Sequence, residues 1–208
     1  MPKQTFHNLE QEKKDRIYEA SINEFARTRY DSCKLSNIIK EAGIPRGSFY
    51  QYFEDKFDLY IYVFDQIAIK KMTYLGDIIA KMHEMNFFDL WEELYSNGAK
   101  FGLENPKLID ITKLLLSSKD DIYDKLMGKN LKLAEDYYVS MIEINKKNGL
   151  IRPSVDSVTL AKMVIETTTN VAVDNLVKDQ DLKETLKDMQ DQIKKRIDIF
   201  RKGIETGE

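Results

Sequence analysis

Residues 35–56 read LSNIIKEAGIPRGSFYQYFEDK. A segment of helical periodicity, a Gly-Ile-Pro turn and a second short periodic segment follow one another at the spacing of a helix-turn-helix, and few folds accommodate that order. Leu35, Ile38, Ile39 and Ala42 recur at helical intervals and are expected to bury one face, with Ser36, Asn37 and Lys40 left in water. Gly43 supplies the left-handed conformation that ends a helix. Ile44 is placed to plug a small core, and Pro45 suits a helix start, where no N–H is needed. Phe49 and Phe53, four apart, face inward; Arg46, Gly47, Ser48, Tyr50 and Tyr52 then lie elsewhere, toward a groove or its phosphates.

The flanks extend this unit. A preceding helix is expected from Asn8, capped by its side chain with Gln11 three residues on, to about Thr28, with Ile17, Ala20 or Ser21, and Phe25 as its inner stripe. Phe6 is a candidate staple. Met1–His7 reads as a frayed terminus, with a minor-groove arm through Lys3 as the alternative. Beyond Asp55 a helix carries Phe57, Leu59, Tyr60, Val63, Phe64 and Ile67. Lys56 stands at its start, where a phosphate could meet an ammonium beside free backbone N–H groups. Taken alone, Lys56 reads as a solvated lysine.

From Ile17 to Val63 the string with Ile17, Ala20, Phe25, Ala26, Tyr30, Ile38, Ala42-Gly43-Ile44, Gly47-Ser48-Phe49-Tyr50, Tyr52-Phe53, Lys56 and Leu59 resembles the N-terminal domain of the TetR family of transcriptional repressors. The resemblance covers about a quarter of the chain. It departs at Pro45, where the family often has Ser or Thr, and at Cys33-Lys34, where a hydroxyl pair is common. It implies a fold that is all-α, an N-terminal three-helix helix-turn-helix DNA-binding domain over 1–55 and a larger helical ligand-binding and dimerisation domain over 56–208. It further implies that the first helix braces the reading pair. The whole string favours a phosphate contact for Lys56. Arg46 and Tyr50 are the expected groove residues, with Ser36, Asn37, Gly47 and Ser48 assisting and Lys34, Tyr52 and Lys56 on phosphates.

Composition agrees. With 4 prolines and 9 glycines in 208 residues, and no run alternating apolar and polar over a strand length, the chain is expected to be helical throughout. The net charge is −3, yet residues 1–56 hold 10 basic against 9 acidic residues, so the acid surplus falls in the remainder. A local patch of Lys34, Arg46 and Lys56 with Arg27 and Arg29 could still neutralise phosphates, because affinity follows charge at the contact surface. The single cysteine, Cys33, excludes an internal disulfide and reads as a small filler.

In the rest of the chain, helices are expected over Asn86–Ala99 and onward through Phe101 and Leu103, then after Pro106, and from the break at Ser117–Asp120 to about Lys147. Gly149 closes that helix and Asp156 or Ser154 caps the next. Phe64, Trp91, Tyr95, Phe101, Tyr123, Tyr137 and Met141 are candidates to line an effector cavity, with ordinary core packing as the competing reading. Glu143, Glu166 and Asn170 lie beside apolar runs; they could bond an effector, pair across a subunit contact, or face water. Val164 and Thr168 on one helix and Leu186, Ile193, Ile197 and Phe200 on the last form stripes that could pack within the chain or build a four-helix bundle with a twin. The family resemblance favours the homodimer, which sets two recognition helices roughly 34–36 Å apart on double-stranded operator DNA.

Two histidines and one cysteine give no metal or nucleophile constellation, and no phosphate loop occurs, so no enzyme, metal or cofactor is expected. No window approaches the roughly 20 apolar residues of a membrane span, and a cytoplasmic protein is expected. The reading is a DNA-binding regulator, a repressor released by a small apolar or cationic effector. Its alternative is an adaptor of the same fold acting through a protein partner.

Overall fold

Helix follows helix through residues 1–117, 122–178 and 180–204, which the computed structural model describes, with no β-strand among them. In chain order they are α1 (Gln4–His7), α2 (Gln11–Phe25), α3 (Leu35–Glu41), α4 (Arg46–Tyr52), α5 (Lys56–Tyr74), α6 (Gly76–Lys81), a 3-10 turn (Met82–Glu84), α7 (Phe87–Glu104), α8 (Pro106–Leu116), α9 (Ile122–Lys147), α10 (Ser157–Leu176) and α11 (Leu182–Ile204). Of the expected break at Ser117–Asp120, residues 118–120 lie outside the described residues.

The chain forms two compact units: 1–72 with 105–122, and 73–104 with 123–208. Compactness therefore runs along a different line from a functional division at 55/56. Leu59 and Val63 of α5 are 0% exposed and complete the first unit's core. In the same unit α8 lies against α2, where Lys107 Nζ donates to Asn23 Oδ1 at 2.6 Å and Arg29 donates to the Ser117 carbonyl.

Both glycines that end helices do so by the same device. Gly43 has φ +65°; its N–H donates to Lys40 O at 3.2 Å and the Ile44 N–H to Ile39 O at 3.2 Å, a Schellman closure of α3. That closure turns Ile44 inward, and it is buried. Gly149, at φ +73°, closes α9 through Gly149 N–H to Lys146 O and Leu150 N–H to Asn145 O. The next helix, α10, starts on Asp156, whose Oδ1 accepts from Thr159 N–H at 2.8 Å.

The amino-terminal expectation needs correction. Residues before α2 are docked rather than frayed: Phe6 is buried, its ring 4.9 Å from that of Phe53 and 5.0 Å from that of Tyr62. The Lys3 N–H donates to Tyr52 O, and Lys3 Nζ donates to Tyr50 O at 3.0 Å, so this lysine ties down α4. Because α1 occupies 4–7, Asn8 ends that helix instead of starting the next. Helix α2 begins at Gln11 without a side-chain cap and stops at Phe25, short of Thr28.

In the second unit α11 packs on α7 and α10. Phe87, Phe88, Leu90, Trp91, Met141, Ile142, Leu160, Ala161, Leu186 and Met189 are buried there. Asn145, also buried, is fully employed: Oδ1 accepts from Phe87 N–H at the start of α7 and Nδ2 donates to Met141 O. Burying an amide costs little once its donors and acceptors are matched.

Candidate nucleic-acid interface and effector site

The reading edge is built from the packing side outward. Phe49 and Phe53 are fully buried, their rings 5.5 Å apart, and this anchors α4 so that Arg46, Gly47 and Tyr50 are exposed and Ser48 half-exposed. From α3, Lys34, Ser36 and Asn37 are exposed beside them. Two charges reinforce this edge from behind. Glu24 of α2, nearly buried, accepts from Lys34 N–H at 3.1 Å and from Asn37 Nδ2 at 3.0 Å, tying the start of α3 and the Asn37 side chain to α2. Glu24 thereby fixes Asn37, and its importance was not evident from the sequence, where it falls on the polar side of an ordinary helix.

Lys56 is half-buried, and its ammonium donates to Tyr30 O at 2.5 Å and Cys33 O at 3.1 Å while lying 4.3 Å from the Tyr30 ring centroid. The lysine thus pins the α2–α3 connection, which is more than a solvated side chain would do. Burial pushes the Cys33 thiol up to about 11 despite the nearby ammonium, so the thiol stays protonated at neutral pH, as a filler would. Helix α5 starts with reciprocal caps: Asp55 Oδ1 accepts from Asp58 N–H at 2.8 Å, and Asp58 Oδ2 from Glu54 N–H at 3.1 Å.

Tyr52 differs from the expectation that it points outward. It is 5% exposed, its ring lies 6.3 Å from that of Phe6, and its hydroxyl accepts from Lys13 Nζ at 2.9 Å. The docking of α1 covers it, and Lys13, a residue the sequence reading passed over, is the cation that meets its hydroxyl.

The effector candidates separate. Phe64 belongs to the first unit, its ring 4.9 Å from that of Tyr60. Phe101 is buried with its ring 5.4 Å from that of Tyr74, Tyr137 donates to Met82 Sδ at 3.0 Å, Tyr123 bonds Thr169, and Met141 is core. The polar candidates stand on the surface of the chain: Glu166 and Asn170 are exposed, and Glu143 pairs with Lys146 at 3.1 Å and accepts from Ser157. Helical periodicity carries them past the apolar stripe. Trp91 and Tyr95 stand one turn apart on α7, and Arg196 of α11 is near enough to pull the Tyr95 phenol down while burial drives it well above its usual range.

The dimerisation stripe is also redistributed. Val164, Leu186, Ile193 and Ile197 are all under 5% exposed within one chain, Thr168 bonds its own helix at Val164 O, and Phe200 meets Trp91 with ring centroids 5.6 Å apart. Their contacts are intramolecular. Among the outward apolar residues of α10 and α11 are Val158, Met163 and Ile199, the last 72% exposed, beside a hollow of about 290 Å³ lined by Val155, Leu160, Met163, Ile199 and Phe200.

Residues 17–63 match the sequence model of bacterial regulatory proteins of the tetR family. No curated protein sequence matches the chain. Among solved structures, a TetR family transcriptional regulator from Chloroflexus aurantiacus J-10-FL is similar at 27% identity over 100% of both chains, with a TM-score of 0.63. The fatty acid degradation regulator FadR of Bacillus halodurans is 23% identical over 89% of this chain and 96% of its own, TM-score 0.69. FadR of Bacillus subtilis, solved in complex with stearoyl-CoA, is 18% identical over 86% and 97%, TM-score 0.69. No helix among the described residues is long and apolar enough to cross a membrane. The helix-turn-helix, its exposed reading edge and these likenesses together mark residues 17–63 as a tetR-type helix-turn-helix segment, in a chain whose fold is that of TetR family transcriptional regulators.

Proposed function

We propose that the protein is a cytoplasmic repressor that binds a palindromic operator as a homodimer and releases it when a small effector enters the second unit. The observation that carries this reading is the reading edge: Arg46, Gly47 and Tyr50 exposed on a helix whose opposite face is fully buried, with Lys34, Ser36 and Asn37 alongside. Such an edge presents a guanidinium and a phenol to base edges and an ammonium to phosphates. Functional division follows the same logic, with 1–55 reading DNA and 56–208 holding the effector and the partner chain. The homodimer is supported by the outward apolar group of Val158, Met163 and Ile199 on two neighbouring helices.

Effector and operator would favour different arrangements of the two heads, so the effector shifts the population away from the DNA-competent one. An apolar effector is preferred. A cationic one is the alternative. The likeness to FadR of Bacillus subtilis makes stearoyl-CoA the first compound to try. The test is fluorescence anisotropy of a duplex enriched by this protein, titrated with the protein and then with stearoyl-CoA. Two protomers per palindrome and release by an effector support the reading; one protomer per duplex defeats the dimer, and operator affinity indifferent to every compound tried defeats the effector response.

A further inference from the structure

Helix α4 is seven residues long, too short to keep its shape by its own hydrogen bonds. Among the described residues no side chain caps its start at Pro45. At its other end the last internal bond runs from Phe53 N–H to Phe49 O at 2.9 Å, and Phe53 then turns the backbone extended at φ −130°, ψ 150°. The next N–H, that of Glu54, goes to Asp58 Oδ2 instead. The carbonyls of Tyr50, Gln51 and Tyr52 are therefore left without the donors a continuing helix would supply.

One short stretch of chain meets all three. Lys3 Nζ donates to Tyr50 O at 3.0 Å, the Thr5 hydroxyl donates to Gln51 O, and the Lys3 N–H donates to Tyr52 O at 2.8 Å. The Lys3 ammonium also lies 3.4 Å from a carboxylate oxygen of Glu54. A cation at the carbonyl end of a helix is favoured by the helix dipole as well as by the bond it makes. Phe6, buried against Phe53 and Tyr62, holds the stretch in place. The carbonyl that the ammonium holds belongs to Tyr50 itself, whose ring is part of the reading edge and whose Cα–Cβ direction follows its own backbone. A side chain that reads a base must be held within about 0.5 Å of its productive position by the residues around it.

We infer that Lys3 and Thr5 are positioning residues for operator reading: they close the carbonyl end of α4 and so aim Tyr50, and neither touches DNA. The inference rests on the repressor reading, and it gives Lys3 a role other than that of a minor-groove arm.

Fluorescence anisotropy tests it with the full chain and its Lys3→Met, Lys3→Arg and Thr5→Val variants, each titrated over a salt series into a duplex that the unaltered chain has enriched and into a scrambled duplex of equal length. Amide exchange at residues 50–53 is followed without DNA. Lys3→Met and Thr5→Val are each expected to lose about fivefold in affinity for the enriched duplex, the weight of one hydrogen bond. Scrambled-duplex affinity and the salt slope should hold, exchange at Gln51, Tyr52 and Phe53 should quicken, and Lys3→Arg, which keeps the cation and its donor, should recover most of the loss. Equal losses on both duplexes would reduce the effect to stability or to phosphate contact, and a salt slope lowered by about one in Lys3→Met would make this lysine a phosphate ligand. Either result overturns the inference, as does unchanged exchange in both variants. An unaltered chain that enriches no duplex defeats the repressor reading and this role together, whereas an unaltered chain that binds, with variants that bind equally well, defeats this role alone.

Discussion

Replacing Gly43 with alanine should destabilise the head by about 1 kcal/mol. Gly43 sits at φ +65°, and a Cβ built there meets nothing within 4 Å, so the penalty is purely one of backbone conformation. An L-residue in the left-handed region costs roughly 1–2 kcal/mol. Alanine also restricts the unfolded chain, returning about 0.4–1 kcal/mol. The difference is about 1 kcal/mol, which at this chain length lowers Tm by roughly 2–4 °C. Gly43→Asn should lose less, since asparagine enters that region more readily. The assay is thermal and urea unfolding at fixed protein concentration, because an oligomer's stability depends on it. Gly149→Ala is the internal comparison: it has φ +73°, similarly open space and the same Schellman closure. If Gly43→Ala proved neutral or stabilising while operator affinity stayed unchanged, the argument that this turn needs a glycine would be refuted.

Arg46→Ala should weaken operator binding and relax base preference; a uniform loss across all sites would contradict a groove role. Lys56→Ala should reduce the salt slope by about one and also loosen the 30–33 connection, seen as faster amide exchange at Tyr30 and Cys33; an unchanged exchange rate would count against the carbonyl contacts. Ile199→Asp should split the dimer with helicity retained, whereas Ile197→Asp should unfold the second unit, since Ile197 is 1% and Ile199 72% exposed; sedimentation and circular dichroism separate the two, and a dimer surviving Ile199→Asp would reject the outward face. The Asp156 carboxyl is held below its usual range by its bonds to Thr159, so its stabilisation is full above the unfolded value and is lost as pH falls through the folded one. Asp156→Asn, which retains the cap without the charge, should flatten that acid-limb contribution in unfolding measured from neutral pH to pH 2, and an identical slope would refute the assignment.

The helix-turn-helix was legible because its signals are local. Gly43 and Ile44 specify a closure within five residues, and Phe49 with Phe53 mark the buried side of α4 whatever they pack against. The same locality made Gly149 and Asp156 readable. What escaped the sequence depends on distant partners. Nothing near Phe6 announces Phe53 and Tyr62, so the docked α1 looked like a loose end, and with it went the burial of Tyr52. The stripe of Leu186, Ile193 and Ile197 proclaims burial but not against what, and α7 and α10 of the same chain claim it. Glu143, Glu166 and Asn170 drew notice by their apolar neighbours, although a helix turns such neighbours apart. Conversely Arg196 carries no local signal, and only the antiparallel register of α7 and α11 brings it near Tyr95.

The most direct trial of the central claim is selection of bound duplexes from a random pool by the purified chain, with Arg46→Ala/Tyr50→Ala protein alongside. The account predicts a palindrome with half-sites about one helical turn apart, enriched by the unaltered chain and not by the variant. A folded dimer that enriches no sequence, or a variant that enriches the same palindrome equally well, would contradict it.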